Sequence, residues 1–376
     1  MGATSSIEND SKISFEQAKE IGKEKMTEKE ESEWKSKDVD NTGLTVSEIK
    51  ELYPNFFLKK NHFLVSVDGS ENAHISYELG IQLRDRINND CSVEVLHVES
   101  TKDDLPDYYK APQIKIKYES AMTEIPNDCN SGYTPLNKED KDTHTILLNY
   151  INKHSHPNKY LICGITGRKH AEGSSSVFGT NAGYAIRALH CPVIIGRKLI
   201  EDNKAKEGLH FLIAVDSSSR SKLGIKYVHN LLISTDKITF LHIYDEKYQD
   251  DLNQTSSTQR EDLEKDYKSV VEEYSNYCHS ATWVAIPKGE EKISTIIQNY
   301  NLENDVDFCC LTIEPRNHVG SIGEAVASKG KANLIIIKSD LKTPTTDKVE
   351  VKTQAQAEAQ PVDTTETPTE ETPPKA

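Results

Sequence analysis

The stretch Tyr160–Ile195, YLICGITGRKHAEGSSSVFGTNAGYAIRALHCPVII, decides how the rest of the chain is read. An apolar run ends at Gly164, Gly167 follows, a Gly/Ser-rich loop leads to Gly179-Thr180, and a helical pattern runs to Pro192 and a second apolar run. This order predicts a strand, a loop of phosphate size, a helix and a strand. Glycine lets backbone N–H groups approach an anion, and a Gly-Thr pair opening a helix adds the positive end of its dipole and a hydroxyl. The same glycines also suit an ordinary turn, and this stretch alone leaves both readings open.

Upstream of it, the apolar run Phe63–Val67 ends at Asp68-Gly69-Ser70, and Ile75, Leu79 and Leu83 recur at helical spacing. Val93–Val98 reads as a strand, Asp107–Glu124 as a helix, the segment near Tyr133 as a weak strand, and the stretch carrying Leu147, Leu148 and Ile151 as a helix. Strands separated by helices call for right-handed parallel crossovers, so the fold class expected is α/β with a doubly wound sheet.

Residues 198–208 read as a charged linker, after which the plan restarts. Leu209–Val215 ends in Asp216-Ser217-Ser218, and a helix, the strand Ile238–Ile243, a charged helix over Glu261–Tyr277 and the strand Ala281–Ile286 follow. A helix with Ile293, Ile296, Ile297 and Tyr300, the strand Val306–Leu311, a helix after Gly320-Ser321 and the strand Leu334–Ile337 complete the second half. Asp68 and Asp216 stand 148 positions apart and Cys163 and Cys310 stand 147 apart, which marks an internal repeat. The expected organisation is a helical N-terminal arm over 1–60, a first domain over 61–198, a second over 208–339, and a disordered Thr/Pro/Glu-rich tail over 340–376.

Composition narrows the function classes. The 376 residues are 28% charged with a formal net charge of -15, and no basic stripe with interleaved aromatics is present, which argues against nucleic acid as a partner. No apolar run has membrane-spanning length, and the N-terminus lacks the hydrophobic core of a secretory signal, so a cytoplasmic protein is expected. The seven cysteines, Cys91, Cys129, Cys163, Cys191, Cys278, Cys309 and Cys310, show no C-x-x-C spacing and mostly lie in apolar runs, as buried thiols in a reducing compartment do.

The arm carries two further signals. Met1-Gly2-Ala3-Thr4-Ser5-Ser6 fits N-myristoylation at Gly2, and one acyl chain beside an acidic segment would give reversible membrane contact. Asp38-Val39-Asp40-Asn41-Thr42-Gly43 followed by Leu44–Glu48 resembles an EF-hand calcium loop, with Asp38, Asp40, Thr42 and Glu48 as the ligand oxygens. Counting from Asp38 puts Ile49 at the twelfth position and Glu48 one place early, so a degenerate helix–turn–helix adaptor is the other reading. The cluster Leu52, Tyr53, Phe56, Phe57 and Leu58 needs burial on the body or on a protein partner.

With these residues placed, each half resembles a universal stress protein domain, over roughly 60–198 and 208–339. The first half carries the family's opening signature as Val67-Asp68-Gly69-Ser70, its second strand as Leu96-His97-Val98, and its closing signature as Gly164-x2-Gly167 with Gly179-Thr180 and Cys191-Pro192-Val193. In the ATP-binding branch of the family, the residues at Asp68 and Val98 hold the adenosine end, and the glycine loop with the Gly-Ser/Thr pair holds ribose and phosphates. The resemblance therefore implies an ATP or AMP site, with magnesium as a companion ion, built from Asp68, Val98, Cys163, Gly164, Gly167, Gly179, Thr180 and Asn181.

Eleven residues separate Gly167 from Gly179 where the family usually has nine, and Arg168, Lys169 and His170 within that loop are either phosphate ligands or solvated charge. In the second half the glycine pair is replaced by Leu311-Thr312-Ile313-Glu314-Pro315-Arg316, where Glu314 would repel phosphate and Pro315 removes a donor, so weak or no nucleotide binding is expected there.

Family members commonly pair through the last strand, which makes Pro192–Ile195 and Leu334–Ile337 the runs expected to join the two domains within one chain. The function implied is a nucleotide-binding signalling or stress-response protein, non-catalytic or at most a slow ATPase, since only His170 and Glu172 stand in the loop as acid or base. An adaptor that keeps the fold and docks partners or a membrane through its arm is the competing reading.

Overall fold

The computed structural model describes residues 61–341, apart from 88–90, 101–104, 126–130, 139, 157, 169–176, 217, 246–254 and 315–320, together with residues 12–13 and 44–45. In the arm, β1 (Lys12–Ile13) and β2 (Leu44–Thr45) pair antiparallel, with Lys12 opposite Thr45 and Ile13 opposite Leu44. Gly2, the calcium-ligand candidates Asp38, Asp40, Thr42 and Glu48, and the tail beyond Leu341 lie outside the described residues.

The first repeat runs β3 (His62–Val67), α1 (Glu71–Ile87), β4 (Ser92–Val98), α2 (Ala111–Thr123), β5 (Gly132–Leu136), α3 (Thr143–Lys153), β6 (Lys159–Gly164), α4 (Thr180–Ala188) and β7 (Val193–Gly196). A short helix α5 (Asp202–Glu207) leads to the second repeat. That repeat comprises β8 (His210–Val215), α6 (Ser219–His229), β9 (Lys237–Tyr244), α7 (Thr255–Tyr277), β10 (Ser280–Pro287), α8 (Ile293–Glu303), β11 (Phe308–Ile313), α9 (Ser321–Lys329) and β12 (Asn333–Lys338).

All ten of these strands lie in one sheet, in the order β10-β9-β8-β11-β12-β7-β6-β3-β4-β5. Within each repeat the ladders are parallel, and the two repeats join where β7 meets β12 antiparallel, with Ile195 opposite Leu334, Ile194 opposite Ile335 and Val193 opposite Ile336. Each repeat's last strand would otherwise be an open edge, and the pairing removes both. The expected domain pairing is thus a continuous sheet.

The apolar runs have no polar alternation because the inner strands are covered on both faces. Phe63, Val65 and Val67 enter one core layer and Leu64 enters the other, and each layer continues through both repeats. Gly80 lets α1 settle on β3, since a β-carbon there would lie 2.9 Å from Cγ2 of Val65. Polar contacts also bridge the repeats: Arg86 and Asp236 form a buried ion pair, Asn61 Nδ2 donates to the Asn230 carbonyl at 2.7 Å, and Tyr160 OH donates to the Tyr227 carbonyl at 2.9 Å.

Three expectations need correction. The linker 198–208 contains α5, whose Lys204 reaches Asp305 at 2.6 Å and Asp307 at 2.9 Å and so ties the connection to the second repeat. The helix expected over Asp107–Glu124 is divided: Asp107–Tyr109 is a 3-10 turn, Lys110 is extended, and α2 starts at Ala111 with Pro112 in its first turn, where a missing N–H costs nothing. The charged helix expected from Glu261 begins at Thr255. The six described cysteines are all buried and none of them forms a disulfide, and among the described residues no helix is long and apolar enough to cross a membrane.

Candidate functional site

In each repeat the strand order, counted from the repeat's own first strand, is 3-2-1-4-5, so the chain reverses direction across the sheet between strands one and four. In doubly wound sheets, the loops leaving those two strands part at this switch point and open a crevice. In the first repeat, the crevice lies between the ends of β3 and β6.

A cleft of ≈ 680 Å³ occupies it, and all eight residues nominated from sequence line it: Asp68, Val98, Cys163, Gly164, Gly167, Gly179, Thr180 and Asn181. They come from the ends of β3, β4 and β6 and from the first turn of α4, and only the parallel sheet brings them together.

Asp68 follows β3 directly. Its Oδ1 accepts bonds from Ser70 N–H at 3.1 Å and Ser70 Oγ at 2.6 Å, and Ser70 Oγ in turn caps α1 by accepting the Ala73 N–H at 3.3 Å. Its Oδ2 accepts the Arg168 N–H at 2.9 Å, which pins the loop after β6 to the loop after β3. Both oxygens are therefore engaged by the chain itself: Oδ1 already takes two donors, and Oδ2 keeps its second lone pair for a further donor.

At three of the cleft's glycines a β-carbon would press on the chain itself. A β-carbon at Gly164 would lie 2.8–2.9 Å from Asn72, one at Gly167 would lie 2.6 Å from Asp68 Oδ2, and one at Gly179 would lie 3.0 Å from Thr166 Cα. These residues allow two loops and a helix start to close against each other. Gly179 N–H donates to the Ile165 carbonyl at 2.8 Å, and no side chain caps α4, so its first turn faces the cleft uncapped by the chain. Residues 169–176, including Lys169, His170 and Glu172, are outside the described set.

Cys163 is a wall residue, since burial pushes its thiol up to about 12, far from a thiolate nucleophile. Beneath the first-strand loop, His97 bonds Tyr133 OH at 2.8 Å, and burial, with Arg168 nearby, lowers it to about 4.

Sequence reasoning missed several lining or covering groups. Tyr109 lies over Gly69, accepts from Arg168 Nη1 through its carbonyl at 3.1 Å and receives the guanidinium over its ring at 5.7 Å. Gly69 itself was the local signal of a tight passage here, and its φ of 87° lies where glycine is favoured. On the rim, His144 stacks on Tyr184 at 3.7 Å between centroids, and the Arg187 guanidinium lies over the Tyr184 ring at 4.9 Å. Glu324, from α9 of the second repeat, also lines the cleft, and no local pattern in the sequence announces that contribution.

The second repeat's switch point is built otherwise. Glu314, directly after β11, forms an ion pair with Arg220 from the first turn of α6, and Arg220 lies 3.9 Å from Asp216. Asp216 Oδ1 accepts bonds from Ser218 and Ser221. Charged side chains stand here where the first repeat has Gly167 and a cleft.

No protein-family model matches this sequence, and no curated protein matches it. The shape does find counterparts. A universal stress protein from Archaeoglobus fulgidus DSM 4304 superposes with a TM-score of 0.51 at 13% identity, covering 74% of this chain and 96% of that one. The chain has the universal stress protein fold, twice over. A functionally unknown protein from Pseudomonas aeruginosa PAO1 gives a TM-score of 0.51 at 11% identity, covering 74% of this chain and 92% of its own. At such identities the likeness to universal stress proteins is one of fold, and what the cleft binds is a separate question.

Proposed function

We propose that the first universal-stress-protein repeat holds one adenine nucleotide, ATP or AMP, without rapid turnover, and that occupancy is read by a partner in a stress or signalling response. The observation that carries this reading is the convergence of the eight nominated residues on a single cleft at the switch point. Lys138, Arg168 and Arg187 are balanced there by Asp68, Asp142 and Glu324, so the grip on phosphate would rest mainly on backbone N–H groups at the start of α4, with magnesium as companion ion. The Arg220–Glu314 pair supports a division of labour in which the second repeat scaffolds the first.

The test is calorimetric titration of the full chain with ATP and AMP, together with identification of any small molecule released on denaturation. One equivalent of nucleotide, lost on Gly167→Val, is the expected result. No binding of either nucleotide overturns the reading.

The arm supplies the proposed regulatory contacts: an acyl chain at Gly2 for reversible membrane contact, calcium at Asp38, Asp40, Thr42 and Glu48, and a docking surface for a protein partner. Mass spectrometry of the native N-terminus tests the first, and calcium titration followed by Trp34 fluorescence tests the second. A pull-down with and without residues 1–60 tests the adaptor role, which predicts partner loss on truncation with nucleotide occupancy unchanged.

A further inference from the structure

At the opposite end of the first repeat from the cleft, three metal-ligating side chains meet. His62 opens β3 and Asp68 follows its end, so about six residues at roughly 3.3 Å each, on the order of 20 Å, separate the two places. Glu94 comes from β4, and His154 stands immediately after α3. One ligand atom from each of His62, Glu94 and His154 lies within 4.8 Å of the other two.

We propose that His62, Glu94 and His154 form a binding site for a divalent transition-metal ion of the zinc class, which ties the starts of β3 and β4 to the end of α3. Donor chemistry selects the ion: two imidazole nitrogens and one carboxylate suit Zn²⁺, whereas calcium and magnesium take oxygen shells.

The geometry is close to what such an ion requires. Zinc bonds of about 2.0–2.1 Å in a tetrahedral arrangement place ligand atoms about 3.3 Å apart. Glu94 Oε2 lies 3.2 Å from His62 Nε2 and 3.5 Å from His154 Nε2, so two of the three edges already have that length. The third, between the imidazoles, has to shorten. The rings are stacked with centroids 4.4 Å apart, and a tilt of one ring brings the nitrogens together.

Outer contacts orient the ligands. Ser92 Oγ lies 2.5 Å from His62 Nδ1 and can accept its proton once Nε2 carries the metal. Thr134 and Tyr150 hydroxyls both donate to Glu94 Oε1, which leaves Oε2 directed at the imidazoles.

Two neighbours act against loading. Lys159 brings a positive charge, though its Nζ is directed to the carbonyls of Ile151 at 2.7 Å and His154 at 2.5 Å. His154 Nδ1 accepts the His156 N–H at 3.4 Å, a long contact that gives way when Nδ1 takes the proton in the metal-bound state. His156 is the nearest further imidazole, 5.3 Å from His62 between centroids, and with water is a source for the fourth position.

The experiment uses the full chain, stripped with a chelator and titrated with ZnCl₂ against a chromophoric competitor, and separately with CoCl₂. The expected result is one Zn²⁺ per chain at micromolar affinity or tighter, a raised melting temperature, and visible cobalt bands of a low-coordinate N/O site. Glu94→Gln and His154→Gln should each weaken binding about tenfold or more. No zinc bound at ~100-fold excess over protein, or unchanged affinity in both variants, overturns the proposal and leaves a purely hydrogen-bonded network. Circular dichroism establishes that the variants fold. If one does not, imidazole ¹⁵N resonances of the wild type decide: Nε2 shifts of His62 and His154 on zinc addition support the site, and their constancy refutes it.

Discussion

A β-carbon on Gly167 would lie 2.6 Å from Oδ2 of Asp68, so a side chain at residue 167 would displace that carboxylate where the loop after β6 crosses the end of β3. That crossing closes one wall of the cleft and delivers the Arg168 N–H to Asp68. The atom that obstructs a larger residue is the tip of a side chain and can rotate away. Gly167→Ala should therefore leave stability within about 1 kcal/mol, by thermal melting, while weakening nucleotide binding by calorimetry.

Gly164 behaves in the opposite manner. Its hypothetical β-carbon meets the Asn72 carbonyl carbon and oxygen at 2.9 Å, and backbone in the first turn of α1 cannot move aside without shifting the helix. Gly164→Ala should cost about 1–3 kcal/mol. Comparing the two alanine variants by denaturant unfolding separates a glycine needed for packing from one needed at the cleft.

Arg86 and Asp236 join the repeats as a pair whose side chains are 3% and 0% exposed. Burial raises the Asp236 carboxyl in spite of Arg86, and its oxygens also accept the Leu209 and Ile233 N–H groups, each at 2.8 Å. Removing the guanidinium leaves a buried acid without its cation. Arg86→Met should destabilise by about 3–5 kcal/mol, and adding Asp236→Asn should recover much of that loss in equilibrium unfolding.

Acid should destabilise the protein in two successive windows. His97, lowered to about 4 from an ordinary 6.5, contributes stability that is complete above pH 6.5 and is lost as pH falls toward 4. Glu94, lowered to about 2 from 4.5, contributes stability that is complete above pH 4.5 and is lost as pH falls toward 2. Each is worth on the order of 2–3 kcal/mol. Unfolding free energy measured from pH 8 to 2 should flatten between 6.5 and 4 in His97→Asn and below 4.5 in Glu94→Gln.

Thiol chemistry provides a rapid check of the core. Burial pushes Cys163, Cys191, Cys278 and Cys309 up to about 12, and raises Cys310 well above its ordinary value. A maleimide reagent should leave the six described cysteines unmodified in the native protein and label all of them after denaturation, read by peptide mass mapping.

The doubly wound fold and the repeat were legible in the chain because their signals are local and periodic, and the eight residues that the resemblance to universal stress proteins named line one cleft. Apolar runs such as Phe63–Val67 mark strands buried on both faces, and Asp68-Gly69-Ser70 marks a strand end that turns into a capped helix. Glu314 likewise warned that the second switch point differs. Sequence left open what the glycines do and who their neighbours are, because a contact between Gly167 and Asp68, 99 positions apart, depends on two loops meeting at the end of the assembled sheet.

Tertiary structure alone decided the rest. Tyr109 over Gly69, Glu324 on the rim of the first repeat's cleft, and His62, Glu94 and His154 around one carboxylate oxygen all join residues that share no spacing rule. Strand order brings such groups together: parallel pairing aligns His62 with Ser92 at one end of the sheet and leaves Asp68 facing Gly167 at the other. Periodicity determines which face of an element is buried; the hydrogen-bonded order of the elements determines which distant side chains meet at their ends.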